Sequence, residues 1–222
     1  VELTFQISID DLPEQHNKVR KVKNLFNSCI ETYQLLKKMG SNINPVVSVT
    51  VTHENCDNIE NIFNYLHYDC GIDSLKCTIV RDEGVYKTPY EKKKKIYDAY
   101  DWLTNKIKEK ISNNEIKNYN SKSVQGRIHN KKDILSWEMI KKMYMNPKYI
   151  SPCHAGSLFG IITSNGKVYP CEILEDKLLG SLRDNNMNFM KIWSEKNAKD
   201  ARDFILKTKC NCTYECAISY NI

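Results

Sequence analysis

Nine cysteines are the first feature to explain, because five of them crowd the last third of the chain: Cys153, Cys171, Cys210, Cys212 and Cys216. An odd count without a secretory signal argues against a disulfide framework. Thiolates in such numbers can instead hold a metal. Between Cys153 and Cys171, the stretch from Phe159 to Thr163 and the stretch from Lys167 to Tyr169 read as two short strands. Ser164-Asn165-Gly166 between them reads as a tight hairpin turn, since Asn-Gly accepts the positive φ angles of such turns. The hairpin brings Cys153 and Cys171 toward each other, and a later helix, roughly Phe189 to Lys207, delivers the knuckle Cys210-Asn211-Cys212-Thr213-Tyr214-Glu215-Cys216. Four thiolates converging in this way can hold zinc or an iron–sulfur cluster. Structural zinc sites usually use two short Cys pairs, so the long first spacing leans toward a cluster without excluding zinc. His154 is adjacent to the first cysteine and reads as a supporting or surface residue. The remaining cysteines, Cys29, Cys56, Cys70 and Cys77, are scattered and read as small buried hydrophobes.

A second group of residues lies at predicted strand ends. Leu3 to Ile9 alternates and then runs apolar, and Pro13 is expected to stop it. Helical spacing follows from about Val19 to Met39, closed by Gly40. Pro45 to Thr52 is rich in β-branched residues and reads as a strand. A helix capped by Asp57 or Asn58 runs to Gly71, and Leu75 to Val80 is a third strand. This β-α-β-α-β order implies a parallel sheet, whose ligands sit beyond the carboxyl ends of the strands. Those ends carry Ser8, Asp10 and Asp11; Thr50, Thr52, His53, Glu54 and Asn55; and Arg81, Asp82 and Glu83. Asp82 and Glu83 are the candidates for a general base, although none is assigned. Tyr90 to Ile111 reads as a long charged helix, residues 113–132 as a loop, and Asp133 as the cap of a further helix ending near Asn146-Pro147.

The whole chain is ordinary in composition: 222 residues, 41% hydrophobic and 27% charged, with a net charge of +6. That excludes a disordered or fibrous class. No apolar run is long enough to span a bilayer and no signal peptide opens the chain, so a cytoplasmic protein without a membrane partner is expected. The one tight basic run, Lys92 to Lys95, reads as a solvated helix face. The chain opens directly on a strand without an initiator Met, which fits a piece of something longer.

The C-terminal text resembles a known family. Cys153, Gly166 and Cys171, then Asn165-Gly166-Lys167-Val168-Tyr169-Pro170-Cys171, Leu179-Gly180-Ser181-Leu182-Arg183, Ile192-Trp193 and the terminal knuckle are similar to the SPASM and twitch auxiliary-cluster domains of radical SAM enzymes. Ile7-Ser8-Ile9-Asp10 with His16-Asn17-Lys18-Val19-Arg20 is similar to the fourth strand and following loop of that family's partial barrel, and Thr50-Val51-Thr52 with Asn55 to the fifth. The fold class implied is α/β: a partial (β/α) TIM-like barrel fragment over residues 1–112, a linker and helix over 113–150, and a small α+β cysteine-rich cluster domain with a β-hairpin over 151–222.

The resemblance further implies a radical SAM enzyme that generates a 5′-deoxyadenosyl radical to modify a peptide, a protein or a small molecule. Its cofactors would be S-adenosyl-L-methionine and two [4Fe–4S] clusters, and its electron donor a flavodoxin or ferredoxin. Ser8, Asp10 and Arg20 are the implied SAM contacts, with Arg20 facing the methionine carboxylate, and Thr52 and Asn55 lie toward the ribose. Cys153, Cys171, Cys210, Cys212 and Cys216 are the implied ligands of one auxiliary cluster; five cysteines compete for four positions, of which Cys153, Cys171 and Cys216 take three, and Cys210 and Cys212 contend for the fourth, or one of them is a spare. The family's Cys-x3-Cys-x2-Cys loop and its Gly-Gly-Glu motif are absent, so these 222 residues alone are not expected to cleave SAM. The alternative is a zinc-stapled module that binds nucleic acid or protein without catalysis; a nucleic-acid partner is not otherwise expected.

Overall fold

The computed structural model describes residues 3–40, 42–81, 88–119 and 124–222. Asp82 and Glu83, the candidates for a base, lie outside the described residues. The described residues fall into two compact units that divide at residues 137 and 138.

The first unit is a three-stranded parallel sheet in the order β1 (Leu3–Ser8), β2 (Ile43–Val51), β3 (Leu75–Ile79). β2 is the central strand, and Val46, Val47, Val49 and Val51 along it are buried, as a parallel strand covered on its faces requires. β1 is exposed along most of its length, with Leu3 and Phe5 open to solvent. Around the sheet stand α1 (Pro13–Arg20), α2 (Leu25–Met39), α3 (Ile59–Asn64), which continues as a π turn over Tyr65–Asp69, and α4 (Lys93–Ser112). Their apolar faces, Phe26 and Tyr33, Ile62, Phe63 and Leu66, Ile96, Tyr100, Leu103 and Ile107, make the core with the strand valines. Among the described residues no helix is long and apolar enough to cross a membrane. Lys92 and Lys95 both pair with Asp57, and Lys94 with Asp98, so the basic run is an ion-paired helix face.

Three expectations change here. The helix from Val19 to Met39 is two helices. Lys21 and Asn24 both adopt left-handed backbone, which breaks the run, and Asn17 Oδ1 accepts the Phe26 amide to start α2 afresh. Pro13 does not merely end the first strand; it stands at the first turn of α1, where its missing N–H costs nothing. The loop expected over 113–132 is helical from Val124, since α5 spans Val124–Met145. Asp133 is then no cap. It lies inside the helix and pairs with Lys76 of β3 at 2.8 Å, while Tyr119 donates its ring face to the same ammonium and stacks on His129. Tertiary pairing outweighs the loop-like composition of the segment.

The second unit holds a small antiparallel sheet, β4 (Ile161–Ile162), β5 (Lys167–Tyr169) and β6 (Gly180–Ser181). The expected hairpin is present. Only Gly166 takes positive φ in it; Gly166 donates to Thr163 O and Thr163 to Lys167 O, so a wider turn replaces the two-residue form. Gly160 is required by close approach: a Cβ there would lie 2.8 Å from the Trp193 ring. The expected helix from Phe189 to Lys207 breaks at Glu195 into α6 (Phe189–Ser194) and α7 (Lys196–Lys207). Arg202 fixes the break by donating to Trp193 O and, at 2.9 Å, to Gly156 O. A last helix, α8 (Glu215–Asn221), buries Ala217 and Ile218.

Two side chains secure the first unit. Asn118, 1% exposed, donates to Leu75 O and accepts from Leu75 N, both at 2.7 Å, so it supplies the pairing that β3 lacks at its start. Asn118→Ala leaves these buried groups unpaired and is expected to cost about 2–4 kcal/mol in urea unfolding. Asp73 accepts from Tyr33 Oη at 2.7 Å and from Lys37 at 2.5 Å. Burial pushes its carboxyl up, and the Lys37 and Tyr33 bonds outweigh that, so the net value falls below the ordinary 3.8. The stabilisation is therefore complete above the unfolded value and is lost as pH falls through the lower folded value. Asp73→Asn is expected to cost about 1 kcal/mol at neutral pH and to flatten the loss of stability below about pH 4, read by thermal melts across pH.

Candidate functional site

At the carboxyl ends of β1 and β2 the ladder stops, and backbone groups beyond it must be paired by side chains. Asn55 does most of this. It is 2% exposed; its Nδ2 donates to Asp10 O at 2.7 Å and Thr50 O at 2.8 Å, and its Oδ1 accepts the Thr52 amide at 2.8 Å. Asp10 spans the same gap, taking the Thr50 amide on Oδ1 at 3.0 Å and the Arg20 guanidinium on Oδ2. His16, buried, accepts the Asp10 amide on Nδ1, which assigns the proton to Nε2, and burial lowers its pKa. Burial raises that of Asp11, which accepts the Leu12 amide.

These groups line a cleft of about 350 Å³ with Val19, Glu54, Thr52 and Val80. The size suits a small ligand. Of the strand-end residues expected to contact SAM, the fold brings Asp10, Arg20, Thr52 and Asn55 into this one cleft, and leaves Ser8 exposed outside its lining. They differ in what they can offer. Both amide hydrogens of Asn55 are spent on the backbone, so it shapes the wall. Arg20 uses one nitrogen on Asp10 and retains further donors. His16 was not singled out at this cleft from sequence; a lone histidine in a helix carries no signal until its burial is known.

In the second unit, Cys153, Cys171 and Cys210 pack together around Ala155, Ile205 and Leu174. Cys210 donates to Cys153, and Cys212 and Cys171 lie within electrostatic reach of it. Cys210 is thereby held protonated, while Cys153, receiving that bond and others from Ala155 N–H and Asn221, ionises more readily than a free thiol. Ile173 N–H points at Cys171 Sγ, 3.5 Å away. Cys216 is exposed and lies against Tyr214. Met139, Met143, Ile150 and Ile218 form apolar walls beside Cys153, Cys210 and Cys212. Neighbouring thiols with N–H donors aimed at the sulfurs and apolar walls form a donor set of the chemistry an iron–sulfur group needs. Among the described residues no three His, Cys, Asp or Glu side chains are gathered tightly enough for a single metal ion. Of the four scattered cysteines, Cys56 and Cys77 are buried and Cys29 and Cys70 partly so.

Asn55→Ala would unpair three buried backbone groups at the cleft. It is expected to lower stability by about 2–4 kcal/mol in thermal or urea unfolding, more than Thr52→Ala on the same wall.

Residues 153–217 match the SPASM family model, an iron-sulfur cluster-binding domain. No curated protein matches the chain. Among solved structures, native anSMEcpe with bound AdoMet superposes with a TM-score of 0.61 at 17% identity, over 97% of this chain and 57% of that one. Native anSMEcpe with bound AdoMet and the Kp18Cys peptide gives 0.56 at 14% identity, over 97% and 58%. The histidine-tagged form of anSMEcpe with bound AdoMet gives 0.56 at 15%, over 97% and 55%. The chain thus spans a little over half the length of the structures it matches. Residues 153–217 thus match the model of an iron–sulfur cluster-binding domain, and the chain shares the fold of the corresponding part of anSMEcpe.

Proposed function

We propose that the chain supplies the SAM-binding strands and the auxiliary-cluster domain of a radical SAM enzyme that modifies a peptide or protein. The observation that carries this reading is the packing of Cys153, Cys171 and Cys210 within the segment that matches the SPASM model, with Cys212 two residues beyond Cys210. These four are the proposed ligands of one [4Fe–4S] cluster, and Cys216, held by Tyr214, is the spare thiol. When bound, such a cluster supplies one-electron chemistry.

The chain's own residues then have distinct tasks. Arg20, braced by Asp10, presents its remaining N–H groups to the carboxylate of SAM; a charge-assisted pair of this kind gives both strength and orientation. The Thr52 hydroxyl accepts the Glu54 amide and can donate toward a ribose oxygen. Ser8 lies at the end of β1 on the same rim. Asn55 and His16 hold Asp10 in place. A peptide substrate is favoured over a small molecule because anSMEcpe, which shares the fold, is solved with a bound peptide.

The test is anaerobic expression followed by iron, sulfide and zinc analysis. About four irons and four sulfides per chain are expected. Cys153→Ala and Cys210→Ala should lose most of that iron, and Cys216→Ala should keep it. One zinc and no iron would overturn the reading in favour of the zinc-stapled module.

A further inference from the structure

The helix α1 grips Asp10 at two points. His16 and Arg20 stand one turn apart on it; His16 Nδ1 accepts the Asp10 amide at 3.3 Å, and Arg20 donates to Asp10 Oδ2. The other polar atoms of Asp10 reach across the rim. Its carbonyl oxygen accepts Asn55 Nδ2 at 2.7 Å, and its Oδ1 accepts the Thr50 amide at 3.0 Å. Asp10 is therefore the joint between α1, the end of β1 and the end of β2. The two grips differ in strength. The Arg20 side chain is 42% exposed, and an ion pair so open to water contributes little by itself. His16 is 1% exposed, and its ring stands nearly perpendicular to that of Phe26 on α2, with 6.1 Å between centroids. The buried bond is the one that fixes where Asp10, and through it Arg20, stands.

That bond exists in one protonation state only. Neutral imidazole with its proton on Nε2 offers Nδ1 as an acceptor, whereas imidazolium is a donor at both nitrogens. Protonation would turn an N–H of the ring against the Asp10 N–H. The buried Nε2–H has no hydrogen-bond partner among the described residues, so the charged ring would gain nothing on that side either. The charged groups around the ring oppose one another: Asp10 favours a proton on it and Arg20 disfavours one. Asp11 and Glu54 line the same cleft from the loops after β1 and β2, and α2 contributes the Phe26 ring. Burial is the largest influence and lowers the imidazole pKa below its ordinary 6.5.

We infer that His16 is a proton-controlled positioning residue for the cleft: as neutral imidazole it holds Asp10 and so aims Arg20 at the ligand, and when it takes up a proton that hold is lost and SAM binds more weakly. The inference rests on the SAM reading of the cleft proposed above. Linkage fixes its sign. SAM binds the form with neutral His16, so affinity is full at a pH well above the value at which the ring titrates. It falls as pH drops through that value, by up to about tenfold per pH unit.

The experiment is a calorimetric titration of the full 222-residue chain with SAM from about pH 7 down to about pH 5, where the SAM amino group keeps its proton throughout. The wild-type Kd should rise steadily as pH falls. His16→Asn keeps a side-chain acceptor for the Asp10 amide but does not titrate. His16→Phe keeps a buried ring and removes the acceptor. Both variants should lose the pH slope, and His16→Asn should bind more tightly than His16→Phe, a rescue that a purely space-filling role would not give. Far-UV circular dichroism reports whether each variant is folded; should His16→Phe unfold, the wild-type and His16→Asn profiles still decide the matter. A slope that persists in His16→Asn belongs to another cleft group, such as Asp11, whose carboxyl burial pushes up, and would overturn the inference. A flat wild-type profile would also overturn it while leaving the SAM reading intact. A wild-type chain that binds no SAM at any pH would overturn the SAM reading of the cleft, and this inference with it.

Discussion

Backbone hydrogen bonding cannot simply stop where a parallel ladder ends, and that constraint organises the first unit. The ladder between β1 and β2 ends at Ser8 and Ser48, and the N–H and C=O groups that follow need other partners. Asn55 satisfies three of them and Asp10 a fourth. Because those bonds join the end of one strand to the end of its neighbour, they set the spacing of the rim. The cleft exists where it does because a buried amide holds its two lips at hydrogen-bond distance. Arg20 enters the same network through Asp10, so the cationic group that faces the cleft is placed by the interaction that closes the sheet.

The second unit meets an analogous requirement with less core. Its strands are two or three residues long, and its apolar clusters are small. Val168, Leu179, Leu182 and Ile192 pack on one side, while Cys153, Cys171 and Cys210 close the other. Thiols here replace the larger aliphatic side chains that a domain of this size would need. Such a unit gains folding free energy from whatever binds its thiolates, since ligation links segments far apart in sequence. Arg202 and Asn221 show how the surrounding chain prepares for it. One pins the helix break to Gly156, and the other pins the last helix to His154, so both bonds end on the turn that follows Cys153.

Much of the fold was legible because its signals are local. Period-two alternation in Leu3–Ser8, the β-branched run before Thr52 and the 3.6-residue spacing of α2, α3 and α4 each report the face that an element buries. The Asn165-Gly166 turn reports itself through the positive φ that glycine adopts without strain. Where reading failed, distant partners had decided the outcome. Asp133, inside α5, pairs with Lys76 far upstream in the chain, and the break between α6 and α7 depends on carbonyls that Arg202 reaches only in the folded state. β6 is two residues long and has no pattern to detect.

The candidate sites divide along the same line. Residue chemistry and spacing alone determined that the chain carries a cysteine set in its last third and polar strand ends in its first, and the resemblance drawn from those motifs named the matching domain family. Only the tertiary structure decided which members meet: that Cys210 packs with Cys153 and Cys171, and that Asn55 spends its amide on backbone whereas Arg20 keeps donors to offer. The reason is that hydrogen-bond satisfaction is a property of what surrounds an atom in space. Asn55, Asn118 and Asn221 are the same residue in sequence, and different partners make one a cleft wall, one a strand start and one the anchor of a helix on the His154 amide.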